Sequence, residues 1–305
     1  MNISTSLLFD RATERMSALQ SKLATTQAQL TMSKQILSPS DAPDQAAAIQ
    51  RLHGQIDKQD TNKATLEVAI RHYQAEESAL KTSNDIMTRM KELAVQAAND
   101  TLGPQSRTAV GTEMKALRDQ LLTLGNTQDD TGNFIFSGTR VKTPAFAQDA
   151  SGNVTYQGDQ TKTRIPAGTE RTVSFTRSGT DVFSRVVRSN GESIGFFDSL
   201  DRMIHAVNTS DTSGIQQSLS DINQMSDNLN QSLAQAGSDQ VVVQSQMDVL
   251  AETTLRLKSS LSDIEDLDYT AAVTKMNKEQ ISLQAAMSSF SKISSMSLFD
   301  YIKNG

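Results

Sequence analysis

The two ends of the chain carry matching apolar stripes. Near the N-terminus Phe9, Ala12, Met16, Leu19, Leu23 and Leu30 fall on one line stepped by three and four residues, with Thr26 its only polar member. Near the C-terminus Tyr269, Val273, Met276, Leu283, Met287 and Phe290 repeat the pattern around Gln280. This spacing writes a coiled-coil seam, and a seam hides only a narrow strip of each helix. A hairpin made from the two segments alone is marginal in water, so such ends need neighbours.

Composition agrees with long helices around a thin core. Only 37% of the 305 residues are hydrophobic and 5% aromatic, with no Trp, which is too little for one large dense core. The net charge is -6 and the Lys and Arg residues are scattered singly, so the basic stripe of a nucleic-acid binder is missing. With no Cys, disulfides and thiolate metal sites are excluded. The stretch from Met1 to Asp10 lacks the basic start and apolar core of a cleaved secretory signal. No apolar run approaches the ~20 residues of a membrane helix, so no membrane contact is expected.

The residue pattern predicts a mainly α chain: a long antiparallel helical bundle or coiled coil formed by the terminal segments, with a small β-rich domain inserted in the middle. The first helix is expected from Thr5 to Leu37, stopping at Ser38-Pro39. Ser40 or Asp41 then reads as an N-cap, with Pro43 in the first turn and Asp44 placed to complement the helix dipole. The second helix runs on a line through Ile49, Leu52, Ile56, Leu66, Ile70, Tyr73, Leu80 and Met87, interrupted by Gln59, Lys63, Glu77 and Asn84. A break at Asn99 to Pro104 precedes a third helix with Val110, Met114, Leu117, Leu121 and Leu124, capped at Gly125-Asn126.

From Thr131 to Gly191 the period changes to alternation. Phe134 to Phe136, Val154 to Tyr156 and Thr172 to Phe175 read as short strands of a small sheet, separated by Gly- and Asn-rich turns. Helical spacing returns with Phe196, Leu200, Ile204 and Val207 and continues past Ile264. The expected divisions are a terminal helix at 1–42, a helical rod at 43–135, the β-rich insert at 136–193, the returning rod at 194–263 and the closing helix at 264–305.

Catalytic chemistry finds no foothold in this pattern. His53, His72 and His205 sit on separate predicted helices without paired ligand spacing, so structural or surface roles are expected. The acidic cluster Asp263, Glu265, Asp266 and Asp268 lacks the central Gly and late Glu of a calcium loop, and Asp268 reads as a helix cap. Asp129 to Asn133 reads as a turn entering a strand. No Gly-rich phosphate loop or GxSxG is present, and no cofactor or metal site is expected.

Several segments resemble the flagellin-related hook-associated proteins of bacterial flagella. They are Asn2-Ile-Ser-Thr-Ser, Ile36-Leu-Ser-Pro-Ser-Asp-Ala-Pro, Glu92-Leu-Ala-Val-Gln-Ala-Ala-Asn-Asp, Gly132-Asn-Phe-Ile-Phe-Ser-Gly and the closing Ser297-Leu-Phe-Asp-Tyr-Ile. The likeness covers about 130 N-terminal and 45 C-terminal residues. Where the family commonly has a small residue and a Gly, this chain has Met32-Ser33, and Ala42 replaces a usual Asp. The resemblance implies a structural protein at the hook-filament junction, with a neighbouring junction protein, flagellin and copies of itself in a ring as partners. It also implies flagellar type III export without a cleaved signal, and an export chaperone at the C-terminal region. On that reading Phe9, Met16, Leu19, Leu23, Leu30, Tyr269, Val273, Met276, Leu283, Met287 and Phe290 form the assembly seam. A flagellin-type filament subunit, a coiled-coil signalling rod and a secreted lyase or protease using the insert are the alternatives.

Overall fold

The computed structural model describes residues 2–99, 102–166 and 172–303, with backbone alone for 2–6, 8 and 293–303. The side chains of the closing Ser297 to Ile302 segment therefore lie outside the described residues. Among the described residues seven helices and six short strands follow in the order α1 (Asn2–Met32), α2 (Pro43–Ala97), α3 (Pro104–Gly125), β1 (Phe146–Gln148), β2 (Val154–Tyr156), β3 (Arg164–Pro166), β4 (Thr172–Ser174), α4 (Gly179–Val182), β5 (Val186–Val187), β6 (Ser193–Ile194), α5 (Phe196–Thr209), α6 (Thr212–Glu265) and α7 (Tyr269–Lys303). The chain is mainly α, with long terminal helices and a small β-containing middle region. It divides into two compact units, residues 1–60 with 252–305, and residues 61–251. The division falls inside α2 and α6.

In the unit holding both chain ends, α1 stops five residues before the expected Leu37. Ser33 takes the left-handed conformation, φ 58°, which ends the helix without a glycine. The chain then pairs with the segment after α6: Gln35 N–H donates to Glu265 O at 2.8 Å and Leu267 N–H to Ser33 O at 3.2 Å. Lys34 Nζ sits 2.5 Å from Glu265 Oε1, and His53 Nε2 lies 3.6 Å from the other oxygen of that carboxylate. Asp41 folds back on the turn before α2, its Oδ2 accepting from Ser38 N–H (2.8 Å) and Leu37 N–H (3.2 Å), so it closes that turn. At the start of α7, Asp268 Oδ1 accepts from Ala271 N–H at 3.0 Å, the expected cap.

In the other unit, four helices share one core. Leu80, Met87, Met90 and Leu93 from α2 meet Val110, Met114 and Leu121 from α3, Leu200, Met203 and Val207 from α5, and Ile215, Ile222, Met225 and Leu229 from α6. A second cluster joins Leu66, Ala69 and Tyr73 of α2 to Val243 and Leu250 of α6, with Val173 of β4 between. The break between α2 and α3 is held by buried Arg107, whose guanidinium donates to Ala97 O (2.8 Å), Asn99 O (3.1 Å) and Leu102 O (3.2 Å). One cation thus satisfies carbonyls that the end of a helix leaves open.

The insert is three separate hairpins, β1–β2, β3–β4 and β5–β6, where a single small sheet was expected. Strands of two or three residues offer too short an edge to recruit a third strand. Val154 to Tyr156 and Thr172 to Ser174 are strands as read from sequence, but Phe134 to Phe136 is not. There only an isolated bridge joins Phe134 to Gln128, while Ile135 and Phe136 turn into the core. Apolarity in that segment serves burial, not alternation. Phe136, Phe146 of β1, Phe183, Phe196 and Phe197 pack on one another edge to face or stacked.

Two turns of the same Asp-x-x-Gly-Asn sequence are built identically. Asp129 Oδ1 accepts from Thr131 and Asn133 N–H, both at 2.9 Å, and Asp149 Oδ1 from Ser151 (2.8 Å) and Asn153 (2.9 Å). Gly132 (φ 74°) and Gly152 (φ 93°) supply the left-handed step. Donors from Asn153 and the backbone hold the Asp149 carboxyl below its usual range.

Candidate assembly surface

The sequence stripes at the two ends meet as an antiparallel pair, α1 against α7. Phe9 and Phe290 close one end of it, and at the other the Tyr269 hydroxyl contacts Ser33 Oγ and lies 3.5 Å from Leu30 O. Interpolation along two helices of equal rise places Met16 level with Leu283 and Leu23 level with Met276. On α1, Phe9, Met16, Leu19, Leu23 and Leu30 are all half-buried, and Thr26 is fully buried.

On α7 the inward line differs from the one read in sequence. Met276, Leu283 and Phe290 are half-buried as members of the stripe, but the line continues through Ala272, Glu279 and Ala286. Tyr269, Val273 and Met287 remain 51%, 41% and 52% exposed, and Gln280 is exposed too. Two interleaved lines, 272/276/279/283/286/290 and 269/273/276/280/283/287/290, share residues 276, 283 and 290. The apolar series outranked the one containing Glu279 in sequence, and packing prefers the other because alanines let the helices approach closely. Ala272 and Ala286 were the available signal for it.

The exposed remainder of the seam is apolar surface that α1 does not cover. Ile281 is also largely exposed on α7. Singly exposed apolar residues are ordinary, but Tyr269, Val273 and Met287 recur along one helix and form a stripe.

Elsewhere the polar side chains are committed to structure. His72 is buried against Phe175, ring centroids 4.6 Å apart; burial, with help from nearby Arg177, pushes it down to about 4, so it is neutral near pH 7. Arg177 Nε lies 2.5 Å from Glu76 Oε1 and Nη2 lies 2.6 Å from Asp239 Oδ2, tying the end of the β3–β4 hairpin to α2 and α6. Burial pushes Glu76 up to about 7 despite the neighbouring guanidinium. Asp221, also buried, accepts from Arg188 and Ser199. His205 is exposed. Among the described residues no group of His, Asp and Glu could hold a metal ion, and no helix is long and apolar enough to cross a membrane.

Comparison with known proteins agrees with the terminal helices. The family model "Bacterial flagellin N-terminal helical region" matches residues 3–141 and "Bacterial flagellin C-terminal helical region" matches residues 219–302, together most of the chain. Flagellar hook-associated protein 3 of Escherichia coli K12 is 25% identical over 323 aligned positions, covering 99% of this chain and 100% of the relative. Its Salmonella typhimurium counterpart is 25% identical over 318, covering 98% and 99%. Among solved structures, flagellar hook associated protein-3 from Legionella pneumophila has TM-score 0.63 at 16% identity, covering 71% of this chain and 98% of that one. Xanthomonas campestris FlgL has TM-score 0.60 at 22% identity, covering 70% and 99%. These two likenesses speak for the fold. With both flagellin helical regions in place and relatives aligned along its whole length, the chain belongs to the flagellin-like family that includes the flagellar hook-associated proteins.

Proposed function

We propose that this protein is a structural component of the bacterial flagellum, forming the junction between hook and flagellin filament. The observation that carries the reading is the α1–α7 pair, which leaves Tyr269, Val273 and Met287 uncovered in a chain whose full-length relatives are named hook-associated protein 3. On this reading Leu19, Leu23, Leu30, Leu283, Met287 and Phe290 carry axial contacts in a ring of identical subunits, between a first junction protein and flagellin. Apolar stripes that one chain cannot bury gain their partners on assembly. Passage through the flagellar type III channel without a cleaved signal, with a chaperone on the C-terminal region, belongs to the same proposal. The chain's family points to a structural part, not an enzyme.

The test introduces Leu23→Asp and Leu283→Asp into a flagellated host lacking its own junction protein. The parent chain restores filaments and swimming, whereas the variant leaves bare hooks. Filament growth with the variant would overturn the seam assignment. Immunogold labelling separates the junction from a filament subunit: label confined to a short band at the hook tip is expected, and label along the whole filament would favour the flagellin-type alternative.

A further inference from the structure

An Asn-Gly step, Asn190-Gly191, stands at the tip of the β5–β6 hairpin. Both residues are exposed, and no atom lies within 4 Å of the place where a Gly191 side chain would begin. Gly191 takes the left-handed conformation, φ 81°, so the turn itself calls for glycine. The Asn190 carboxamide is folded over this glycine, its Oδ1 accepting from Glu192 N–H at 2.9 Å. The ring closed by that bond contains both the carboxamide carbon and the Gly191 nitrogen, which holds the two atoms close. An N–H aimed at Oδ1 also stabilises the negative charge that this oxygen gathers when the carbon is attacked. Every other described Asn is followed by a residue with a side chain, which crowds the same approach. Asn126, Asn133 and Asn153 are moreover tied to Phe146, Asp129 and Asp149.

We propose that Asn190 is a self-modification site, at which the folded hairpin converts asparagine to aspartate or isoaspartate with water as co-reactant. Gly191 N attacks Asn190 Cγ and the Cγ–Nδ2 bond breaks. The Gly191 amide proton leaves with the side-chain nitrogen as ammonia, and a cyclic imide remains. Water then opens the imide at Cγ, giving aspartate, or at the main-chain carbonyl of residue 190, giving isoaspartate; in both cases a proton returns to Gly191 N. Gly191 N–H donates to Arg188 O at 2.9 Å, so attack waits on the opening of that one bond at the hairpin tip. Isoaspartate lengthens the main chain by a methylene. The bonds closing the tip, Gly191 N–H to Arg188 O and Arg188 N–H to Glu192 O, both 2.9 Å, then lose their match. Glu192 is the acceptor of Arg202 from α5 at 2.7 Å, so the change reaches that link as well. The inference stands on the hairpin and does not need the junction reading.

The test incubates the folded full-length chain in mildly alkaline buffer made with oxygen-18 water, beside the same chain unfolded in urea and the Asn190→Gln variant. Trypsin releases residues 189–202, in which Asn190 is the only Asn, so mass spectrometry of that peptide reads this site apart from Asn304-Gly305. Isoaspartate is identified by labelling with an isoaspartyl methyltransferase. Asn190 of the folded chain is expected to convert at least about tenfold faster than any other described Asn, taking up one solvent oxygen. Asn190→Gln is expected to fold and to show no conversion, because its longer side chain disfavours closing the imide. A smaller lead, or conversion confined to the urea sample, would overturn the proposal. Amide exchange on the isoaspartyl fraction is the second readout. Faster exchange at Arg188 supports the inference, and unchanged exchange there would overturn the predicted loss of register.

Discussion

The Phe9 and Phe290 rings meet edge to face, centroids 5.4 Å apart and planes at 88°, although they stand near opposite ends of the chain. This pair marks where the two terminal stripes first close on each other. Phe290→Ala removes an aromatic anchor that is only half-buried, so its cost is expected to be about half of the ~3–5 kcal/mol of a fully buried ring. Amide exchange across 9–30 is expected to speed up while the unit at 61–251 keeps its protection. Unchanged exchange in α1 would show that the contact contributes nothing to the pair in solution.

The unit at 61–251 contains two buried titrating groups with opposite pH signatures. Glu76 is raised from 4.5 to about 7, so between those values the folded chain holds a proton that the unfolded chain has lost, and stability falls as pH rises through that window. His72 is lowered from 6.5 to about 4, so over that range the unfolded chain holds the extra proton, and stability rises with pH. The two slopes oppose each other and nearly cancel between pH 4.5 and 6.5. Replacing His72 with Gln is expected to expose a fall of about 3 kcal/mol from pH 4.5 to 7, and Glu76→Gln a rise of similar size from pH 4 to 6.5. Calorimetry across that range checks it: parallel pH profiles for the two variants would refute the assignment.

Arg107 is the support of the α2–α3 corner. Methionine there keeps much of the volume and removes the donors, leaving the carbonyls of Ala97, Asn99 and Leu102 without that cation. Arg107→Met is expected to cost about 3 kcal/mol, with loosening centred on residues 94–110. A drop under about 1 kcal/mol would mean that water replaces the guanidinium without penalty.

Helices are legible in this chain where apolar spacing lasts for several turns. Pro43, Pro104 and Asp268 mark their starts, and α2, α3 and α7 begin where those residues stand. The end of α1 is harder, because a serine performs the left-handed step at residue 33 that glycine would announce. The inward line of α7 is ambiguous for a similar reason: Val273 and Met287 look like core residues, while Glu279, which packs inward, looks like a surface residue. The insert is read correctly at the strands of β2 and β4, but Phe134 to Phe136 shows that an aromatic run near a turn serves a core as well as a sheet. The clustering of Glu76, Arg177 and Asp239 joins three distant segments, and no local spacing carries that information.

The twin turns at Asp129–Asn133 and Asp149–Asn153 have a kinetic consequence. Each is closed by bonds reaching no more than four residues along the chain, so each can form from an extended strand without waiting for any helix to arrive. Short loops of this size close on roughly the 10–100 ns scale, far ahead of pairing between the chain ends. A polypeptide that starts folding from a fully stretched state would thus set these two turns first and its termini last.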